Sequence, residues 1–251
     1  MSPPKDKAAL RQELWAALKA AGAGRFPGIR GRIPNFVGAE AAARHLVAHP
    51  AFEAARVLKC NPDLPQRPVR HAALKAGKTV FLAVPKLAED APFLRLDPAE
   101  LGPEDLWKAS SIKGAFALGR PVAMDEVPPI DLIVTGCVGV GAGGGRLGKG
   151  GGYSDLEYAL LRETGRVGPD TPIATTVHAV QRLAAGAIPL APHDLSVDLV
   201  ATADGVVEID RTRPRPEGVD WSILPAEKVA AIPVLQAMRA RARASRPEGT
   251  G

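Results

Sequence analysis

The apolar positions of the chain alternate between a helical period and short continuous runs. Leu10, Leu14 and Leu18 recur every four residues and predict a helix from Lys7 to about Ala20, with Asp6 as its N-cap. Inward-facing Ala, Leu and Val predict a second helix from Gly38 to about His49, closed by Pro50. Val57-Leu58-Lys59 then predicts a short strand that runs into Asn61-Pro62-Asp63-Leu64-Pro65, where two prolines oppose a helix. A helix over Val69 to Ala76, stopped by Gly77, leads into a strand at Thr79 to Val84. Phe93 to Leu96 predicts a brief strand, whereas 105–114 shows no clear period. The run from Ile130 to Val138 predicts a buried strand, and Leu156, Ala159 and Leu160 mark one face of a helix from Asp155 to Thr164. Further on come a strand at Ile173 to Val177, a short turn of helix at Val180 to Ala185, and a strand at Leu199 to Thr202. The last of these pairs as a hairpin with Gly205 to Ile209. Strands alternating with helices predict an α/β domain with a mixed sheet covered on both sides.

Between the strand at Ile130 and the helix at Asp155 lies Gly143 to Asp155, with seven glycines around Arg146 and Lys149. Glycine permits close backbone approach, and the N–H groups at a helix start attract anions. This predicts a phosphate cradle in which Arg146 and Lys149 are mobile cations and Asp155 is a site for Mg²⁺. The alternative is a flexible glycine-rich surface loop. A Walker loop is excluded because no Gly-Lys-Ser/Thr ending is present, and no acidic residue at the required spacing completes a dinucleotide fingerprint. Tyr153 is either a flat surface for a ring of the ligand or a core residue.

Composition narrows the class. With 251 residues, 46% of them hydrophobic, the chain can bury a sizeable core, and the 26 Gly and 24 Pro imply many loops. A formal charge of +5 suits an anionic ligand but is too mild and too scattered to predict a nucleic-acid face. Cys60 and Cys137 form no CxxC pair, so neither a disulfide framework nor a zinc site is expected. No run approaches the ~18 apolar residues of a spanning helix, and the expected location is cytoplasmic, without a membrane partner. Beyond Asp210 the composition turns basic at Arg211-Thr212-Arg213-Pro214-Arg215-Pro216, and two helices are predicted, one near Pro225 to Ala230 and one from Pro233 to about Arg243. The expected organisation is therefore a domain at 5–210 and a basic extension at 211–251 with a disordered end from Ser245. Arg239, Arg241 and Arg243 suit the C-terminus of the last helix.

Arg146-Leu147-Gly148-Lys149-Gly150-Gly151-Gly152-Tyr153-Ser154-Asp155 resembles the signature loop of the 5-formyltetrahydrofolate cyclo-ligase family, also called methenyltetrahydrofolate synthetases. Asp131-Leu132-Ile133-Val134 before the loop and Pro192-His193-Asp194-Leu195-Ser196 after it follow the family's order. Arg32-Ile33-Pro34-Asn35-Phe36 and Lys59-Cys60-Asn61-Pro62-Asp63 resemble its divergent domain-containing branch. The resemblance implies a three-layer α/β fold of the NagB/RpiA/CoA-transferase-like kind, with a mixed, mostly parallel sheet. It implies that ATP phosphorylates the N5-formyl oxygen of 5-formyltetrahydrofolate, that N10 attacks the activated carbon, and that phosphate leaves to give 5,10-methenyltetrahydrofolate and ADP. The implied nucleotide residues are Lys7, Arg11, Arg146, Gly148, Lys149, Gly150, Gly151, Gly152 and Tyr153, with Lys5 as a substitute for Lys7. Arg146, Lys149 and Tyr153 form the expected catalytic set, and Asp155 and Asp194 the expected Mg²⁺ ligands. His178, Gln181 and Lys59, near strand ends, are weaker ligand candidates. The chain departs from the family where Asn61, Asp63 and Gln66 stand without a Glu, at Thr135-Gly136 and Gly139-Val140, and where Ser154 replaces a second Tyr. These departures keep open an ATP- or folate-binding module without turnover, and, with less behind it, an RNA-associated protein.

Overall fold

A computed structural model describes residues 6–211 and 213–244. The chain begins with α1 (Lys7–Ala20), capped by the Asp6 carboxylate, which accepts from the Ala9 N–H. It continues through α2 (Ala39–Val47), α3 (Pro50–Ala54), β1 (Val57–Cys60), α4 (Arg67–Lys75), β2 (Thr79–Ala83) and β3 (Phe93–Leu96). Two short helices, α5 (Leu106–Ala109) and α6 (Ile112–Leu118), precede β4 (Arg120–Val122) and β5 (Leu132–Val134). The glycine region holds β6 (Gly139–Gly141) and β7 (Arg146–Leu147) ahead of α7 (Tyr153–Glu163). The remainder comprises β8 (Ile173–Thr176), β9 (Arg182–Leu183), β10 (Leu199–Thr202), β11 (Gly205–Glu208), α8 (Ala226–Ala231) and α9 (Pro233–Ala244).

Eight strands form one sheet in the order β11-β10-β8-β5-β1-β2-β3-β4. The five strands from β10 to β2 are mutually parallel, and the edge pairings β11·β10, β2·β3 and β3·β4 are antiparallel. A period of two sends successive side chains to opposite faces. Leu58, Val80, Leu82, Leu132, Val134, Ala174 and Ala201 therefore pack with α2 and α4, while Phe81, Ile133, Ile173 and Val200 pack with α7 and the C-terminal helices. The result is three layers, as the predicted α/β architecture requires. A second sheet, β7-β6-β9, carries α1 on a smaller cluster in which Leu10, Leu14 and Trp15 meet Val138, Leu147 and Ile188.

Several local expectations change. Pro50 does not close α2, which ends at Val47; it sits in the first turn of α3, where its missing N–H costs no hydrogen bond. The prolines after β1 do not keep the chain irregular throughout, since Leu64–Gln66 form a 3₁₀ turn that continues directly into α4. Val180 to Ala185 is not a turn of helix. A 3₁₀ turn at Ala179–Gln181 gives way to β9, which pairs parallel with β6. The glycine region is likewise more than a single loop, because Gly143 to Gly145 turn a hairpin between β6 and β7 and only Gly148 to Gly152 lead into α7. Lys5 and the stretch from Ser245 lie outside the described residues.

The C-terminal helices are built into the core. Val229, Ile232, Val234 and Leu235 are buried in the same cluster as α7, and the segment leading to them is anchored where Arg215 pairs with Asp198. Leu235→Ala is expected to lower the unfolding free energy by about 2–5 kcal/mol, the cost of a large-to-small change in a packed core. Urea unfolding should show that loss in one cooperative transition. Two separate transitions would show that the extension folds apart from the sheet.

Candidate functional site

The site is organised by a buried cation. Arg146, at the start of β7, keeps only 2% of its side chain exposed and donates to the Gly136 carbonyl at 3.1 Å and to Asp155 Oδ1 at 2.7 Å. Asp155, in the first turn of α7, also accepts from the Leu195 N–H at 3.0 Å, which brings the Asp194 loop alongside. Burial would raise the Asp155 carboxyl, but the Arg146 charge and the hydrogen bonds from Arg146 and Leu195 outweigh it and hold it below the usual range. Arg146 is therefore not the mobile cation expected from the sequence, but a fixed post under the glycines. A side chain at Gly148 would come within 3.1 Å of its guanidinium.

The glycine turn follows from backbone geometry. Gly152 caps α7 with φ +65° and Gly150 stands at φ +115°, values that L side chains rarely adopt. Arg11 reaches over from α1 and donates to the Gly148 carbonyl at 2.7 Å. One turn earlier, Lys7 meets Asp194 Oδ2 at 2.5 Å, so the i,i+4 pair does share a helix face and that face looks onto the glycines. Asp194 Oδ2 also accepts from the Ala191 N–H at 2.5 Å, which fixes its loop.

Lys7, Arg11, Arg146, Gly148, Gly150, Gly152, Asp155 and Asp194 border one cavity of about 340 Å³. Lys149, Gly151 and Tyr153 do not. Lys149 is 54% exposed and lies 3.6 Å from Asp63 Oδ1 in the loop after β1, while the Tyr153 ring is covered by Lys228 at 4.7 Å. Hydrogen bonds engage Asp155 Oδ1 and Asp194 Oδ2, while the second oxygen of each carboxylate makes no hydrogen bond to the described residues, with His193 Nε2 4.0 Å from Asp194 Oδ1. Among the described residues no three His, Cys, Asp or Glu side chains gather as a metal cage. Two carboxylates beside a glycine turn flanked by cations are nevertheless the kind of donor that Mg²⁺ takes, since it keeps several waters and needs few protein oxygens.

Other candidates belong to the scaffold. Lys59 points from β1 to the α7 face of the sheet, is 2% exposed, and pairs with Glu157 of α7 while donating to Asn61 Oδ1 at 2.7 Å. Asn61 in turn donates to Ser154 Oγ at 2.8 Å. His178 caps the 3₁₀ turn by accepting from the Val180 N–H, and Gln181 donates to the Cys137 and Val138 carbonyls. Sequence reasoning missed Glu157, and it missed the wall of the cavity formed by Val219, Ile223, Leu224, Pro225 and Lys228. The available signal for that wall was the apolar group Val219, Trp221, Ile223 and Leu224 directly after a basic linker.

A model of the 5-formyltetrahydrofolate cyclo-ligase family matches residues 3–203. The methenyltetrahydrofolate synthase domain-containing protein of Mus musculus is 37% identical over 238 residues, covering 94% of this chain and 64% of that protein. Its Bos taurus counterpart is 36% identical over 236 residues, covering 93% of this chain and 62% of that protein. The chain thus spans a little less than two-thirds of the length of these curated relatives. The NMR structure of Aquifex aeolicus 5,10-methenyltetrahydrofolate synthetase shares the fold, with a TM-score of 0.52 and 23% identity over 82% of this chain and 94% of that one. Among the described residues no helix is long and apolar enough to cross a membrane.

Because Arg146 is buried and paired, Arg146→Ala is expected to cost about 3–5 kcal/mol of stability, the penalty for leaving a buried partner charge uncompensated. The depressed Asp155 carboxyl sets the sign of the acid response. Its contribution is fully present above the ordinary Asp value of about 3.9 and is lost as pH falls through the lower folded value. Urea midpoints measured on the acid side should fall less steeply below about pH 4 for Asp155→Asn than for the wild type.

Proposed function

The chain belongs to the 5-formyltetrahydrofolate cyclo-ligase family, and on that premise we propose that it is a ligase that uses Mg-ATP to convert 5-formyltetrahydrofolate to 5,10-methenyltetrahydrofolate, releasing ADP and phosphate. One observation carries the reading. Lys7 and Arg11 from the first helix, Arg146 from the small sheet and the carboxylates of Asp155 and Asp194 converge on the cavity at Gly148 to Gly152, although up to 187 positions separate them in sequence.

In this reading the protein positions the reactants and neutralises charge, which is most of what phosphoryl transfer asks of it. Arg11 and Lys7 face the phosphates, the Gly148 to Gly152 backbone lets them approach, and Arg146 holds the turn in shape. Asp155 and Asp194 would hold Mg²⁺, which neutralises phosphate charge when bound. Lys149 would act from the rim. The folate would enter between the glycine turn and the loop after β1, where Lys149 reaches Asp63. That position is at the carboxyl ends of β1 and β5, where the sheet order switches direction and open α/β sheets take their ligands.

A second reading, a nucleotide- or folate-binding module without turnover, is favoured by the same loop. Asn61, Asp63 and Gln66 stand there without a Glu, and the Asn61 amide is already engaged by Lys59 and Ser154. The RNA-associated reading loses support because the linker arginines are engaged by groups of the fold. Arg211 and Arg215 pair with Asp198, and Arg213 donates to the Leu190 carbonyl.

Mixing the protein with Mg-ATP and 5-formyltetrahydrofolate is expected to generate the long-wavelength absorbance of the conjugated methenyl product. Lys7→Ala and Arg11→Ala should each weaken ATP binding by about 1–3 kcal/mol in calorimetric titration, the scale of a charge-assisted hydrogen bond. ATP binding with no methenyl product would select the binding module instead.

A further inference from the structure

The cations and glycines account for only one side of the cavity. The C-terminal segment adds the apolar side chains Val219, Ile223, Leu224 and Pro225 to the lining, with Asp220 and Lys228 among them, beside Leu156 and Ala159 of α7. We propose that residues 216–228 form the nucleoside wall of this site, so that a nucleoside triphosphate lies with its base and sugar against these side chains while its phosphates face Lys7 and Arg11. The inference rests on the phosphate reading given above and adds the part of the ligand that reading leaves unplaced.

The segment is held firmly enough to serve as a wall. Before it, Arg215 is buried against Asp198 and donates to the Thr171 carbonyl at 2.8 Å. Within it, the Val219 N–H donates to Glu163 at the end of α7 at 2.8 Å. At its far end Lys228 donates to the Gly151 carbonyl at 3.0 Å and lies over the Tyr153 ring, which ties the wall to the glycine turn. Burial pushes the Lys228 ammonium down, partly offset by Asp155, as expected for a cation covered by this packing.

Within this pinned segment Ile223 remains 47% exposed while bordering the cavity. An apolar side chain held open at a concave site, next to cations that favour phosphate, fits a ligand with one flat, weakly polar end and one anionic end. At about 340 Å³ the cavity falls within the usual size of small-ligand sites. The wall also lies beyond residue 203, where the family match ends, whereas any alignment covering 94% of this chain must include residues 216–228. The wall thus lies outside the stretch that the family model matches but inside the stretch aligned with the domain-containing relatives.

The test compares ATP with inorganic tripolyphosphate in calorimetric titrations of the full chain. The wild type should bind ATP more tightly than tripolyphosphate. The double variant Val219→Ser/Ile223→Ser should lose about tenfold in ATP affinity, the scale of apolar pocket contacts, while tripolyphosphate affinity is unchanged. Arg11→Ala should weaken both ligands. If the double variant melts early, Ile223→Ser alone, at an exposed position, carries the comparison. Unchanged ATP affinity in the serine variants, equal loss of both ligands, or equal wild-type affinity for the two would overturn the wall. A wild type that binds neither ligand would remove the phosphate reading itself and the wall with it.

Discussion

The architecture of the site depends on one buried guanidinium. A charge taken out of water is tolerated only where partners surround it, so the position of Arg146 dictates that of its neighbours. It holds the carbonyl of Gly136 after β5 and the carboxylate of Asp155 in α7, and through Asp155 it reaches the N–H of Leu195. The two ends of the glycine region and the distant Asp194 loop meet there. The glycines beside it are then no longer a loose tether, because their free backbone is draped over a fixed cation.

α7 carries the load between the two sheets. Asp155 and Glu157 are two positions apart and so leave the helix in different directions. The first reaches the small sheet through Arg146, and the second reaches the central strand of the large sheet through Lys59. Lys59 is an unusual occupant of a central strand, and its pair with Glu157 and its bond to Asn61 explain why it is retained in a buried position. The same network joins the loop after β1 to the end of the glycine turn, because Asn61 also donates to Ser154 in the first turn of α7.

The basic tail shows how charge can mislead when read along the chain. Arg211, Arg213 and Arg215 look like an exposed polycationic linker, yet each finds a carboxylate or carbonyl within the fold. Their charge anchors the extension, and the extension then covers apolar surface on the α7 side of the sheet. What composition presents as an appendage is a packed part of the third layer.

Sequence by itself determined the elements whose period is strong and local. The helix at Lys7 to Ala20, the strand at Phe93 to Leu96 and the late hairpin all emerged from side-chain spacing and turn residues, because those signals are written within a few positions. The glycine turn and its likeness to a ligase loop were legible for the same reason. Tertiary structure alone decided that Arg146 is a buried post, that Lys149 reaches Asp63 at the rim, and that Lys59 pairs with Glu157. Each of these depends on which strand lies beside which and on the face a side chain takes, and neither is encoded in local period. The small sheet at β9 was missed because two-residue strands exist only through the partner that pairs with them. The apolar wall at Val219 to Pro225 became part of the site only when the C-terminal helices packed on the sheet and carried it across from the glycines.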